Sequence, residues 1–254
     1  MSTGLEGRAV VVTGAASGIG RATALRFGTL GARVLVTDID AEGAERTVAD
    51  LREAGGTAAC VAGDLCDQRA VNAVVARALA EFGALDVLVN NAGVMDRMSA
   101  LGETDDAEWE RVLGVNLTAP FALTRAALPH MVAAGRGSIV FTASEASLRG
   151  GAAGAAYTAA KHGVVGLVKS LAVTYRAQGI RANAVAPGPT RTGIRVDTAP
   201  GATGPAVIGS LVRSTIGRLG EAEEQAAAIV FLASDEASFV NGAVLPVDDG
   251  WSAV

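Results

Sequence analysis

Short runs of β-branched and small apolar residues recur along this chain with helix-length segments between them, and that alternation restricts the fold more than any other feature. The runs are Ala9 to Thr13, Arg33 to Thr37, Thr57 to Ala62, Asp86 to Val89, Ser138 to Thr142, Arg181 to Val185 and Ala243 to Val247. They are largely continuous in apolar character rather than alternating, as strands covered on both faces must be. Helical patterns fill the intervals at Arg21 to Leu30, Ala41 to Ala54, Gln68 to Phe82, Trp109 to Ala134, Ala155 to Gln178 and Glu221 to Ala233. Strand and helix in regular succession predict an α/β protein: a doubly wound parallel sheet with helices on both faces and right-handed crossovers. One stretch, Gly188 to Gly217, breaks the rhythm with Gly, Pro and Thr, and reads as a substrate lid.

Nothing divides the 254 residues, so a single domain over 1–254 is expected. Half the residues are hydrophobic, enough for a large core, and 21 basic against 26 acidic side chains leave a net charge of -5. That balance argues against a nucleic-acid partner. The lead into the first strand lacks the basic and apolar regions of a signal peptide, so a cytoplasmic location is expected. Gly, Asp, Arg or Asn interrupts every apolar run before membrane-spanning length, so no membrane partner is expected either. Cys60 and Cys66 are too few for a disulfide framework or a zinc site, and read as plain thiols in or beside the core. His130 and His162 fall in no ligand or triad pattern and read as helix-surface or satisfied residues.

The segment Thr13-Gly14-Ala15-Ala16-Ser17-Gly18-Ile19-Gly20 follows the first strand and opens the first helix. Backbone amides and the helix dipole can hold a pyrophosphate there, and side chains larger than hydrogen would obstruct both phosphate and helix. The order is that of a Rossmann-type nucleotide site, although the Gly-x3-Gly-x-Gly spacing departs from the general dinucleotide fingerprint. Asp38 ends the second strand, where a carboxylate accepts both ribose hydroxyls and repels a 2'-phosphate. An ordinary turn or cap role is the alternative. Tyr157 and Lys161 are four apart in a helical pattern and so share a face. A tyrosine with an ordinary pKa near 10 is a poor base at neutral pH, and lowering it to ~7 takes roughly 4 kcal/mol, which an ammonium and a cationic nicotinamide ring can supply. Ser144 ends the fifth strand at its carboxyl edge, the side where open α/β sheets bind ligands.

With these residues assembled, the chain resembles the classical short-chain dehydrogenase/reductase family from Thr13 to about Trp251. The TGxxxGIG loop is residues 13–20, the NNAG element is Asn90-Asn91-Ala92-Gly93, and the YxxxK pair is Tyr157 and Lys161, with Ser144 at the family's separation. The resemblance implies Asn116, Ser144, Tyr157 and Lys161 as the catalytic set. Its implied NAD site takes in Gly14, Ser17, Gly18, Ile19, Gly20, Asp38, Ile39, Asp64, Leu65, Asn90, Ala92 and Gly93, then Tyr157, Lys161, Pro187, Gly188, Thr190 and Thr192. In that scheme Asp64 binds the adenine amino group, Asn116 holds a proton-relaying water, and Pro187-Gly188 with Thr190 and Thr192 forms the nicotinamide-side PGxxxT element. Two departures stand out: Thr190 replaces a usual aliphatic residue, and Asp249 replaces a frequent glycine.

The expected chemistry is hydride transfer between nicotinamide and a secondary alcohol or ketone, with no metal. Tyr157 takes or gives the proton, Ser144 holds the reacting oxygen and Lys161 lowers the tyrosine pKa. An NAD-binding epimerase or dehydratase, or a non-catalytic NAD-sensing module, are the alternatives; the first usually carries a larger C-terminal domain, and the second could dispense with Ser144, Tyr157 or Lys161. Met95, Arg97, Glu145, Ser147, Arg149 and the Ile194 to Leu211 segment are the pocket candidates, a mixed set that leaves the substrate open. A homotetramer is expected from the family and from the Ala-rich helices around residues 119–134 and 152–172.

Overall fold

A computed structural model of the chain describes residues 3–199 and 201–253; Met1, Ser2 and Val254, and Pro200 within the expected lid, lie outside them. Seven parallel strands form one sheet: β1 (Ala9–Thr13), β2 (Arg33–Asp38), β3 (Thr57–Ala62), β4 (Val87–Asn90), β5 (Gly137–Thr142), β6 (Ile180–Pro187) and β7 (Val244–Val247). Their order is β3-β2-β1-β4-β5-β6-β7, so the winding reverses between β1 and β4. The expected strands all form, with ends displaced by a residue or two.

The helices are α1 (Gly18–Thr29), α2 (Ala41–Glu53), α3 (Gln68–Phe82), α4 (Asp106–Leu113), α5 (Ala119–Ala134), α6 (Ala155–Thr174), α7 (Thr203–Thr215) and α8 (Ala222–Ala233). They cover the sheet in two layers because successive strand residues point to opposite faces. Val10, Val12, Val34 and Val36 pack with Phe27 of α1, Leu51 of α2 and Ile229 of α8. Val11, Leu35 and Leu88 face the other way, against Val75 of α3, Leu123 and Met131 of α5, and Val168 of α6.

Two sequence expectations change. The helix expected over Trp109 to Ala134 is interrupted by a π-helical turn at Gly114–Thr118, which contains Asn116. The adjoining backbone stays helical in dihedral angle, so periodicity alone carries through the irregularity; such turns recur at functional sites. The expected lid is not simply irregular: it contains α7, which has no side-chain cap of its own. Glu103 supplies one instead, accepting hydrogen bonds from the Thr203 and Gly204 amides at 2.6 and 2.9 Å. At the other end the Trp251 indole donates to Thr215 Oγ1 at 2.7 Å.

Candidate active site

The glycine loop and the Asn90–Gly93 turn meet above the crevice between β1 and β4, where open α/β sheets hold ligands. Thr13 Oγ1 accepts from the amides of Asn91 and Ala92, both at 2.9 Å. The Asn91 amide nitrogen donates to the carbonyls of Thr13 and Gly14, while its oxygen accepts from Thr142 Oγ1. Asn91 thereby ties β1, β4 and β5 together, a role the sequence reading left unassigned although the residue sat within a quoted motif. Gly14 has φ +63°, and a Cβ there would stand 2.8 Å from Ala92 Cα. Gly20 is equally confined, since its Cβ would strike the Gly14 carbonyl. These glycines are required by close backbone approach.

Asp38 closes one side of this cradle. One carboxylate oxygen accepts from the Ala16 amide at 2.9 Å and the other from the Asp40 amide at 3.0 Å, so the β2 end and the glycine loop are fixed to each other. Ser17 and Ile39 are exposed beside it, while Gly18 and Ile19 are half-buried. Asp64 is exposed and turns one oxygen back to the Cys66 amide at 2.9 Å, next to half-buried Leu65. Thr192 lies against Gly18, where an added Cβ would approach it to 3.2 Å, bringing the segment after Pro187-Gly188 over the loop. Thr190 Oγ1 donates to the Gly188 carbonyl at 2.9 Å and accepts from Gln225 at 3.3 Å. The hydroxyl that departs from the family pattern thus fastens this turn to α8. Asp249, the other departure, has φ +56°, the backbone region that favours glycine.

Tyr157 and Lys161 occupy one face of α6, as their spacing predicts, and both are buried. The Lys161 ammonium donates to the Thr142 carbonyl at 2.7 Å and stands 5.4 Å from the Tyr157 ring centroid. Burial pulls Lys161 down to about 8. Burial also pushes Tyr157 up to about 12, against the hydrogen bond with Ser144, with Asp96 adding repulsion. The expected lowering of the tyrosine by its lysine is therefore not achieved by the chain alone: desolvation outweighs it, and the ammonium is engaged with a carbonyl. Ser144 Oγ accepts from the Ala146 amide at 3.1 Å.

Asn116 is buried beneath these residues. Its amide nitrogen donates to the Val94 and Val112 carbonyls, both at 2.9 Å, and its oxygen accepts from the Val94 amide at 3.2 Å. Its side chain is thus committed to backbone, in the manner of a brace, beside Gly93. Asn90 donates to Thr124 at 3.0 Å, and its buried Oδ1 has no partner among the described residues. That orphaned acceptor, together with the glycine cradle that any Cβ would fill, fits a nicotinamide dinucleotide lying across the β1–β4 crevice. Among the described residues no cluster could hold a metal ion, and no helix is long and apolar enough to cross a membrane.

The pocket candidates divide. Arg97 is turned away to Asp105 and Glu108, at 2.7 and 2.9 Å. Buried Glu145 pairs with Arg149, whose guanidinium stacks 4.7 Å from the Trp251 ring centroid. Burial raises the Glu145 carboxyl despite Arg149, with Asp248 opposing its ionisation as well. Ser147 Oγ donates to the Ser144 carbonyl at 2.5 Å, and Met95 packs in the apolar cluster around Tyr157. The two histidines are exposed, Cys60 is half-buried and Cys66 is exposed rather than in the core.

Residues 14–252 match the family model described as enoyl-(acyl carrier protein) reductase. A cis-4-hydroxycyclohexanecarboxylate dehydrogenase of Sinomonas cyclohexanicum is 49% identical over 97% of this chain and 97% of its own length. A 3beta-hydroxysteroid dehydrogenase of Eggerthella lenta is 41% identical over 98% and 96%. Among solved structures, a protein described as an NAD(P)-dependent gluconate 5-dehydrogenase from Beutenbergia cavernae, with NADP bound at low occupancy, is 40% identical over 100% of both chains, with a TM-score of 0.88.

Proposed function

The chain belongs to the short-chain dehydrogenase/reductase family and interconverts secondary alcohols and ketones by hydride transfer with a nicotinamide cofactor; we propose that it prefers NAD and acts on an uncharged alicyclic alcohol. One observation carries the substrate reading. The charged residues among the pocket candidates are paired, Arg97 with Asp105 and Glu108, Arg149 with Glu145. What they leave for a substrate is apolar surface and hydroxyls, as a ring alcohol requires. The relatives are named for a hydroxycyclohexane acid and a hydroxysteroid, compounds with hydroxyls on six-membered carbocycles, which supports the alicyclic part of this reading; its uncharged part rests on the pairing of the charged residues.

When bound, nicotinamide supplies the carbon that accepts or gives the hydride. The chain's own residues do the rest. In the oxidation direction Ser144 holds the reacting hydroxyl by a hydrogen bond, and Tyr157 takes its proton. Lys161 provides positive charge beside the phenol, and Asn116 braces the turn that carries Gly93. The dinucleotide is held by Gly14, Gly18 and Gly20 at the helix α1 terminus and by Asp38 at the ribose.

NAD preference rests on Asp38. A hydroxyl donating to this carboxylate is a charge-assisted contact of roughly 1.5–3 kcal/mol, whereas a 2'-phosphate would meet like charge. Neither Ala16, Ser17 nor Ile39 offers a cation to offset it. The whole chain acts as one catalytic domain in the cytoplasm. The subunit assembles as a homotetramer, which would cover Val173, 66% exposed, and Phe239, 102% exposed.

The test is a panel of secondary alcohols with NAD or NADP, followed by the absorbance of the reduced cofactor. Cyclohexanol-type substrates without a carboxylate should give the highest kcat/KM, with NAD ahead of NADP by roughly 10²-fold or more. Asp38→Ala should narrow that ratio mainly by weakening NAD. Carboxylate-bearing alcohols outperforming neutral ones, or an unchanged cofactor ratio in the variant, would overturn the corresponding half of the proposal.

A further inference from the structure

Helix α6 carries the proton-transferring tyrosine, yet its N-cap, Gly154, has no side chain with which to satisfy the helix's free amides. The deficit is met from another part of the chain. Asp96, in the loop after β4 and 2% exposed, accepts from the Gly154 amide at 3.2 Å and from the Tyr157 amide at 3.0 Å. It also accepts from the Met98 amide at 3.0 Å, and Met98 stands at φ +57°, a conformation uncommon outside glycine. Alongside, the Ala155 amide donates to the Ser99 carbonyl at 3.0 Å. The space is closed to anything larger: a Cβ on Gly154 would approach Asp96 Oδ2 to 2.5 Å and the Ser99 amide to 2.7 Å.

This loop is itself anchored from behind. Glu108 of α4, 4% exposed, accepts from the Arg97 amide at 2.6 Å and from Ser99 Oγ at 2.9 Å. A chain of buried polar contacts therefore runs from α4 through residues 96–99 to the backbone of Tyr157 itself. Other parts of the helix could be held by packing alone, but this contact fixes the residue whose phenol must meet the substrate oxygen.

We propose that Asp96 is a positioning residue for the reaction: its carboxylate caps α6 from outside and so sets the place of Tyr157. The proposal rests on the reading of Tyr157 as the proton-transferring group. Three groups act on that phenol, from three elements: the Ser144 hydroxyl beyond β5, the Lys161 ammonium on α6, and Asp96 beyond β4. Of these Asp96 alone is anionic, and it raises the Tyr157 pKa. Two consequences follow from one carboxylate. Removing its charge should ease ionisation of the tyrosine, while removing its acceptors should displace the phenol.

Asp96→Asn separates these effects from plain destabilisation. Alcohol oxidation needs the phenolate, so the acid limb of the kcat/KM profile should move to lower pH in the variant. At the plateau kcat should fall on the order of 10-fold or more while NAD affinity stays within about 3-fold, since a small misplacement of a reacting group is costly to rate and not to cofactor binding. Asp96→Glu retains the charge at a displaced point and should lower kcat without moving the limb downward; it carries the test if Asp96→Asn does not fold. Wild-type kcat and an unmoved limb in the folded variants would overturn the proposal. Equal losses of kcat and NAD affinity, with the limb unmoved, would reduce Asp96 to a structural role and overturn it too. Tyr157→Phe is measured in parallel: if it stays active, the reading of Tyr157 is what has failed rather than the assignment of Asp96.

Discussion

At the scale of single residues, the energetics of Tyr157 decide how the site must work. Burial, reinforced by the charge of Asp96 and opposed by the Ser144 hydrogen bond, holds the phenol at about 12. Bringing it to ~7 requires ~7 kcal/mol at ~1.4 kcal/mol per pKa unit, whereas one positive charge at ~4 Å supplies ~4 kcal/mol at an effective dielectric of ~20. A single cation is insufficient, so the Lys161 ammonium and the charge of the oxidised nicotinamide must act together. With Lys161 at about 8, the lysine is mostly protonated at neutral pH and available for this. Tyr157 and Tyr175 are the only tyrosines, which makes the claim spectroscopically accessible. A difference titration of tyrosinate absorbance between the protein and Tyr157→Phe should place Tyr157 near 12 without cofactor. Saturating NAD should lower it by at least ~2 units. An unchanged titration with NAD would contradict the two-charge account.

At the scale of elements, the glycine loop and α6 differ in how openly their roles are written. The strand-loop-helix order around residues 13–20 made the nucleotide cradle legible, because close approach leaves glycine as the only choice at Gly14 and Gly20. Gly14→Ala would place a methyl 2.8 Å from Ala92 Cα in a backbone conformation alanine resists. It should cost ~1–3 kcal/mol of stability and weaken NAD at least ~10-fold, measured by thermal melting and fluorescence titration. Wild-type NAD affinity would refute the role given to the loop. The Tyr157–Lys161 pair was legible for a similar reason, a helical spacing that fixes a shared face. Asp96, Glu103 and Glu108 were not: the first two cap helices distant in sequence, the third anchors the loop at residues 97–99, and no periodicity or local cap pattern marks such contacts. The π turn at Asn116 and helix α7 escaped notice because the first preserves apolar periodicity and the second lies in a segment dense with helix-disfavouring residues.

At the scale of the whole molecule, the sheet was the most legible feature, since seven short apolar runs, the five central ones buried on both faces, have few alternatives to a parallel, doubly wound arrangement. The surface was less so. Exposed Phe239 and Val173 acquire meaning only from three-dimensional placement, as apolar surface available to the proposed tetramer. Light scattering should therefore give about four times the 25.4 kDa chain mass, and a monomer mass would refute that assembly. The central claim concerns the reaction centre that this scaffold builds, and the most direct measurement follows the hydrogen itself. Cyclohexanol deuterated at the carbinol carbon is incubated with NAD and either the wild-type protein or Tyr157→Phe, and deuterium in the reduced cofactor is read by mass spectrometry. The account predicts transfer of the label by the wild type, and a rate lower by roughly 10² or more in the variant despite retained NAD binding. Label transfer by Tyr157→Phe at the wild-type rate would contradict it.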